Sequence, residues 1–408
     1  MPCPRIVIVG NSAAGLAALE AIRRLNAECP VTIVSDESIP AYSRVLLPYL
    51  LSGQRTDLSL RPAGYHERMR ATALLGRRAV RLHADSVELE DGVRLPFDRL
   101  LLAVGSEAMT PDIPGIETPG VFALKTMADA LQIRAHLPGV RRAVILGGGL
   151  ICLLVVGALL ELGLDVTIAV SSDRLLARML DAEGAALVAG RLAQAGVRIL
   201  TRADVTRVVG TSGRVRSVVT ASGDELPAEL VILAKGIRPN VELAQTAGLA
   251  TGRGIVVDHE VRTSGSGIFA AGDCAEAPDL LLPGKRTVAG TWFEAVAQGE
   301  IAGASMLGAA SPPAAVLKMN VMEILGMPVA SIGMVEPRES DARAVAASRN
   351  GAYRRLVISR DRIVGAVLIG DVSEAGAIAA LIRRGLSLDA HQRFDLSRPI
   401  RYADLAIC

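Results

Sequence analysis

Residues 5–25, RIVIVGNSAAGLAALEAIRRL, and residues 141–163, RRAVILGGGLICLLVVGALLELG, decide the fold, because they write one plan twice. Each opens on an apolar run that suits a buried parallel strand, turns on glycine and continues as an apolar helix. Each is followed by a second strand, VTIVSDE at 31–37 and DVTIAVSSD at 165–173. Two βαβ starts in one chain predict an α/β protein with two Rossmann-like dinucleotide-binding domains. In the first turn Gly10 permits the tight bend. Ser12 is small enough for the backbone to approach a diphosphate, and Gly15 lets helix and strand pack closely. The diphosphate would then rest on free N–H groups at the helix start, with Ala14 in the same turn. The strand that follows ends in Asp36 and Glu37, where a carboxylate accepts hydrogen bonds from a ribose. Asp36 is the favoured acceptor and Glu37 the second choice.

Working outward, residues 78–97 read as hairpin strands around Asp91-Gly92, and RLLLAVGS at 99–106 as a buried strand. The second repeat is followed by the same order, hairpin then strand, over residues 215–236. GIFAAGDCAEA at 267–277 is another apolar strand, ending in Gly-Asp, and residues 290–308 read as a helix. The Thr291-to-Glu294 spacing predicts a capping box at the start of that helix. Ser311-Pro312-Pro313 marks a boundary. Beyond it, YRRLVIS, IVGAVLIG and EAGAIAALIRRG give strands and a helix of a small C-terminal α+β domain without a chemical motif of its own.

The 408 residues call for two or three domains, and half of them are hydrophobic. Aromatic residues are only 3 % and the net charge is +2 without blocks, which argues against a nucleic-acid partner. The five histidines, His391 among them, are far apart, so no metal site is expected. The cysteines Cys3, Cys29, Cys152, Cys274 and Cys408 form no CxxC pair and do not read as a disulfide framework. The first strand begins almost at once, at Arg5, so no signal peptide is expected and the chain reads as cytoplasmic. Residues 143–160 carry no charge and approach membrane-spanning length, but Gly147, Gly148 and Gly149 break them into strand and helix, so no membrane span is expected.

At this point the chain resembles the FAD-dependent pyridine nucleotide oxidoreductases, in the branch of the rubredoxin reductases and the flavin module of NADH-dependent nitrite reductases. It is still more similar to the FAD subunits of multi-subunit dehydrogenases acting on phenylglyoxylate or aldehydes. The matching pieces are IVIVGNSAAG, AYSRVLLPYLLSG, FDRLLLAVGS, IPG at 113–115, VILGGGLI, AKGIRPN, IFAAGDCAEA and WFEAVAQGEIAG, in family order along nearly the whole chain. The resemblance implies a discontinuous FAD domain (1–108 and 240–312) with the NAD(P)-binding-like domain (109–239) inserted in it, before the C-terminal domain (313–408). It further implies that Arg44 lies near the FAD phosphates, with Pro48 nearby. Val80 would meet the adenine through its backbone, and the Ala103-Val104-Gly105 turn would lie beside the flavin. Gly272 and Asp273 would hold the ribityl chain. The helix opened by Thr291 and Trp292 would point its positive end at the flavin. In the second domain Gly147, Gly149, Leu150 and Ile151 would meet the nicotinamide nucleotide.

Departures from the family pattern narrow the chemistry. Val45 stands where some members carry a redox cysteine, and without a thiolate, disulfide-reductase chemistry is disfavoured. Tyr49 replaces a lysine near the flavin. Cys152 replaces the third glycine of the second turn, a bulkier group that strains the helix–strand contact, and Leu154 replaces a glutamate. Val170, Ser171 and Ser172 follow where an acid is expected. Three readings stay open: NAD, NADP with its 2′-phosphate on Ser171, Ser172 and Arg174, or no nicotinamide. The expected activity is electron transfer between NAD(P)H and FAD, then to an iron–sulfur or redox-protein partner, in a homo- or hetero-oligomer. The alternatives are a vestigial nicotinamide site, with FAD as a relay or a structural element, or a flavin oxidase. No catalytic side chain is assigned, because the cofactors carry the chemistry.

Overall fold

The computed structural model describes residues 3–337, 342–349, 351–388 and 398–405; His391 and Cys408 lie outside them. The chain divides into two compact units, one of Met1–Ser43, Leu58–Glu107 and Ile237–Leu317, the other of Arg44–Asp57, Ala108–Gly236 and Lys318–Cys408.

The first unit is built on a five-stranded sheet in the order Ile268–Ala270, Arg99–Leu102, Ile6–Val9, Val31–Ser35, Ala71–Leu75. Every pairing is parallel. The central strands are apolar on both faces and share one core with the helix residues Ala18, Leu19 and Ile22 and the hairpin residues Leu82, Val87 and Leu89. All four residues of Ile6–Val9 are buried, as are Leu100, Leu101 and Leu102. The helix Ala13–Leu25 returns from the first strand and packs on the helix Trp292–Met306. A Cβ at Gly299 would lie 2.3 Å from the Ala14 carbonyl oxygen, and one at Gly303 2.6 Å from that of Ala18. Glycine is therefore what lets the two backbones approach so closely.

The second unit repeats the plan. Its parallel sheet runs Arg198–Thr201, Asp165–Val170, Arg142–Leu146, Leu230–Leu233, Val121–Ala123. Each sheet is accompanied by a three-stranded antiparallel hairpin set, Ala79–Leu82, Ser86–Leu89 and Arg94–Pro96 in the first unit, and Val205–Thr211, Arg214–Thr220 and Glu225–Pro227 in the second. The C-terminal part forms a five-stranded antiparallel sheet, Met319–Ile324, Met327–Gly333, Arg362–Ile369, Ala352–Ser359, Arg343–Arg349, covered by the helix Ala375–Arg384. The expected strands YRRLVIS and IVGAVLIG are two of its three inner strands.

The uncharged stretch 143–160 resolves into the strand Arg142–Leu146 and the 12-residue helix Leu150–Glu161. No helix among the described residues is long and apolar enough to cross a membrane.

One expectation is corrected. Cys3 and Cys29 form a disulfide, with Cα atoms 5.2 Å apart. The reason lies in the sheet: Ile6 pairs with Val31, so the residues preceding the two strands arrive at the same sheet edge. The bridge sits at the N-terminal edge, about 13 Å of strand away from the Gly10 turn at the other end.

Candidate functional site

In the first unit the C-terminal ends of the parallel strands gather most of the residues singled out in the sequence. The strand order reverses between Ile6–Val9 and Arg99–Leu102, and crevices for ligands open at such switch points. Gly10 ends one of these strands and Ala103 the other. Gly10 has φ +126°, and a Cβ there would come within 2.1 Å of the Ala103 carbonyl oxygen. A Cβ at Gly15 would lie 2.0 Å from the Gly10 carbonyl oxygen, so helix and turn touch backbone to backbone. Ser12 is the N-cap of the helix Ala13–Leu25, but its side chain makes no capping bond and no acidic residue occupies the first turn. The helix therefore offers unoccupied N–H groups and its positive end to an anion.

The Gly272-Asp273 turn is carried to the same place by sheet pairing. Phe269 pairs with Leu101, so the residues after both strands emerge side by side. Ser106 Oγ donates to Asp273 Oδ2 at 2.7 Å, and the Gly272 N–H donates to Gln298 Oε1 at 2.9 Å. The Gly105 turn, φ +68°, is pinned by Asn240, whose side-chain amide donates to the Val104 carbonyl (2.8 Å) and whose backbone N–H donates to that of Gly105 (3.0 Å). Trp292 is half-buried against the core of this unit.

Two buried polar groups here have no protein partner: Asn11 Nδ2, inside the first glycine turn, and Thr291 Oγ1, at the start of the helix Trp292–Met306. Buried polar groups are nearly always satisfied, so these two orphans, at the starts of helices that both flank the Gly272 turn, fit a bound polar ligand. The oxygen of the Asn11 side chain contacts His66 Nε2 at 3.0 Å, and burial pushes the His66 pKa below its ordinary value. The expected capping box does not form: Thr291 makes no capping bond, and Glu294 is buried, accepting the Leu317 N–H at 3.4 Å. The carboxylate is used to anchor a distant segment instead.

Of the ribose candidates, Asp36 is exposed, while Glu37 is half-buried and accepts from the Tyr42 hydroxyl at 2.7 Å. Val80 is exposed on the hairpin strand Ala79–Leu82. Arg44 and Pro48 belong to the second unit. Arg44 donates to the Lys125 carbonyl at 2.9 Å, and Pro48 is buried at the start of the helix Leu47–Ser52. Val45, at the redox-cysteine position, is exposed. Tyr49 and Leu154 line one cavity of about 350 Å³ with Gly157, Glu161 and Glu323. Cys274 is fully buried, and burial drives its thiol up to about 11, so it stays protonated at neutral pH.

The second glycine turn reproduces the first. Gly147 has φ +127°, and a Cβ there would lie 2.2 Å from the Ala234 carbonyl oxygen. A Cβ at Gly149 would meet nothing within 4 Å, so the protein's own packing does not require glycine there. Leu150 opens the helix and Ile151 is exposed beside it. Cys152 fits with no exposed surface, and burial raises its thiol pKa. Sequence reading missed Asn11, Ser106, Asn240, Gln298 and Thr291 Oγ1 as parts of the first site, and Asp204 and Lys235 in the second unit. Local spacing signals none of them, since the partners of the others are distant in the chain and Thr291 Oγ1 has none.

Residues 4–299 match the model of the pyridine nucleotide-disulphide oxidoreductase family, and residues 319–386 that of the rubredoxin NAD+ reductase C-terminal domain. The chain is 33 % identical to the ferredoxin–NAD(+) reductase component of the biphenyl dioxygenase system of Paraburkholderia xenovorans (strain LB400), over 97 % of both chains. It is 30 % identical to the nitrite reductase [NAD(P)H] of Bacillus subtilis (strain 168), over 97 % of this chain but only 49 % of that protein, so it spans about half the length of that relative. Among solved structures, the covalent putidaredoxin reductase–putidaredoxin complex superposes with a TM-score of 0.90 at 25 % identity, covering 99 % of this chain and 98 % of the other.

Proposed function

The chain belongs to the pyridine nucleotide-disulphide oxidoreductase family, and from that premise we propose that it is an FAD-dependent reductase that takes electrons from NAD(P)H and hands them to a redox-protein or iron–sulfur partner. Its relatives include a ferredoxin–NAD(+) reductase component and a protein solved in complex with putidaredoxin, which supports a partner of that class. When bound, FAD supplies a centre that accepts hydride and releases electrons one at a time.

The chain's own residues have supporting tasks. Gly10, Ser12, Ala14 and Gly15 give the diphosphate a backbone cradle, and Asp36 or Glu37 takes the ribose. Asp273, held by Ser106, accepts the ribityl hydroxyls beside Gly272. Ala103 and Gly105 line the flavin, and Val80 meets the adenine through its backbone. Thr291 and Trp292 bring a helix N-terminus to the flavin edge. Gly147, Gly149, Leu150 and Ile151 receive the nicotinamide nucleotide. The same proposal divides the chain into 1–108 with 240–312 for FAD, 109–239 for the nucleotide and 313–408 for the C-terminal domain. It also sets the activity in the cytoplasm.

The observation that carries the flavin reading is the pair of orphaned polar groups, Asn11 Nδ2 and Thr291 Oγ1, at two helix starts that meet glycine turns. Disulfide chemistry at the flavin is disfavoured because Val45 replaces the thiol, Cys274 is held protonated by burial and the Cys3–Cys29 bridge lies at the opposite sheet edge. The test is anaerobic titration of the FAD-loaded protein with NADH and NADPH. Bleaching of the flavin band at ~450 nm, a property of the cofactor, by either nucleotide is the expected outcome. A flavin that stays oxidised under excess of both would reject nicotinamide-dependent reduction, and rapid oxygen uptake without a partner would identify an oxidase.

A further inference from the structure

The two glycine turns correspond hydrogen bond by hydrogen bond. Gly10 N–H donates to the Val34 carbonyl (2.8 Å) as Gly147 N–H does to that of Ala169 (2.9 Å). Ala103 N–H donates to Val9 (2.8 Å) as Ala234 N–H does to Leu146 (2.9 Å). Arg77 donates to Ser35 (2.8 Å) as Ala203 does to Val170 (2.9 Å), and Gly76 to Glu37 (3.1 Å) as Arg202 to Ser172 (2.9 Å). Even the left-handed residue is kept, with φ +70° at Gly76 and +53° at Arg202. This correspondence equates Asp36 with Ser171, Arg78 with Asp204 and Val104 with Lys235.

The second repeat has thus lost its strand-end acid, but a carboxylate stands beside the replacement. Ser171 Oγ donates to Asp204 Oδ1 at 2.6 Å. Lys235 Nζ donates to Ser171 Oγ at 2.9 Å and to Asp204 Oδ1 at 3.1 Å. Lys235 follows the strand Leu230–Leu233, and Ser171 follows Asp165–Val170. These strands flank Arg142–Leu146 on opposite sides, so the lysine stem crosses the sheet edge at the Gly147 turn. That edge is the switch point of the second sheet, where a dinucleotide binds.

We infer that Asp204 is the acceptor for the adenosine ribose hydroxyls, and that the Asp204–Ser171–Lys235 cluster selects the nucleotide with a free 2′-hydroxyl, NADH, over its 2′-phosphorylated counterpart. The inference rests on the nucleotide reading of the second glycine turn and sharpens it to one cofactor. A ribose diol donates hydrogen bonds and suits a carboxylate. A 2′-phosphate brings negative charge and acceptors only, against an anion. Lys235 does not reverse this, because its ammonium is already engaged in hydrogen bonds to Asp204 and Ser171. The Ser171 hydrogen bond, then that of Lys235, holds the Asp204 carboxyl below its ordinary range, so it stays ionised at neutral pH. Arg174, the cation otherwise suited to a phosphate, is turned to Asp173 and to the Leu180 carbonyl, and the Ser172 hydroxyl donates to the Arg174 carbonyl. Asp204 acts on the nucleotide directly, and Lys235 is its positioning residue.

Calorimetric titration of the intact protein with ADP-ribose and with 2′-phospho-ADP-ribose tests this without any redox turnover. The expected result is binding of ADP-ribose about tenfold or more tighter than the phosphorylated fragment, as befits hydrogen bonds to a charged group. Asp204→Asn should bring the ratio close to one, and Asp204→Glu should restore part of it. Asp204 is exposed, so thermal stability and flavin content serve as controls for folding. Equal or tighter binding of the phosphorylated fragment, or a preference unchanged in Asp204→Asn, overturns the inference alone. Failure of the wild-type protein to bind either fragment overturns it together with the nucleotide reading beneath it.

Discussion

At the scale of single residues, the site depends on groups whose environment is made by distant chain segments. Asp273 is held by a hydroxyl 167 positions away, Ser106. Replacing Asp273 by alanine removes the acceptor, and FAD affinity should fall at least about tenfold. Equilibrium dialysis against FAD reads this directly; unchanged affinity would remove Asp273 from the site. Gly272 and Asp273 were singled out by the family resemblance, because the glycine-aspartate pair ends an apolar strand in a recognisable motif. Ser106, Asn240 and Gln298 were not, because a polar residue becomes part of a site only through a partner that the fold delivers. The same limit hid Asp204. Sequence spacing looked for an acid at the end of its own strand and found serine, while the carboxylate arrives beyond the neighbouring strand.

At the scale of elements, periodicity and glycine placement foretold both βαβ units. They did not foretell how the element ends are used. Thr291 and Glu294 have capping-box spacing, yet the glutamate is drawn inward to the Leu317 N–H and the threonine hydroxyl is left unpartnered. Tertiary demand on a buried carboxylate outweighs a local cap worth about 1 kcal/mol. The Cys3–Cys29 bridge escaped notice for a related reason, since strand register, not cysteine spacing, brings the pair together. Helix contact is the more exacting device. The methyl group of Gly299→Ala would meet the Ala14 backbone, which cannot yield as a side chain can. The two helices must separate, at a cost of about 1–3 kcal/mol. The expected outcome is a lower melting temperature together with weaker flavin retention, because both helices open at the flavin site. A variant that melts like the wild type and keeps its flavin would show that this close approach is not needed.

At the scale of the whole molecule, the chain is a duplicated plan with a third element added. The repeat was legible because glycine at a backbone-to-backbone approach tolerates no substitute: Gly10 against Ala103 and Gly147 against Ala234 keep the same geometry in both sheets. The C-terminal part was only partly legible. Two inner strands carry clear apolar stretches, at 356–358 and 363–369, whereas Met319–Ile324 and Arg343–Arg349 at the sheet edges carry mixed, half-exposed residues that give a weak pattern. The function proposed for the molecule depends first on a flavin site in the first unit. The protein's one tryptophan, Trp292, stands at the start of the helix proposed to face the flavin and can report on it. Titration of flavin-free protein with FAD, followed by tryptophan emission and visible absorbance, is the most direct measurement. Saturable quenching at one FAD per chain, with the yellow colour retained after gel filtration, is predicted. Protein that emerges colourless, its tryptophan emission unchanged by FAD, would contradict the account.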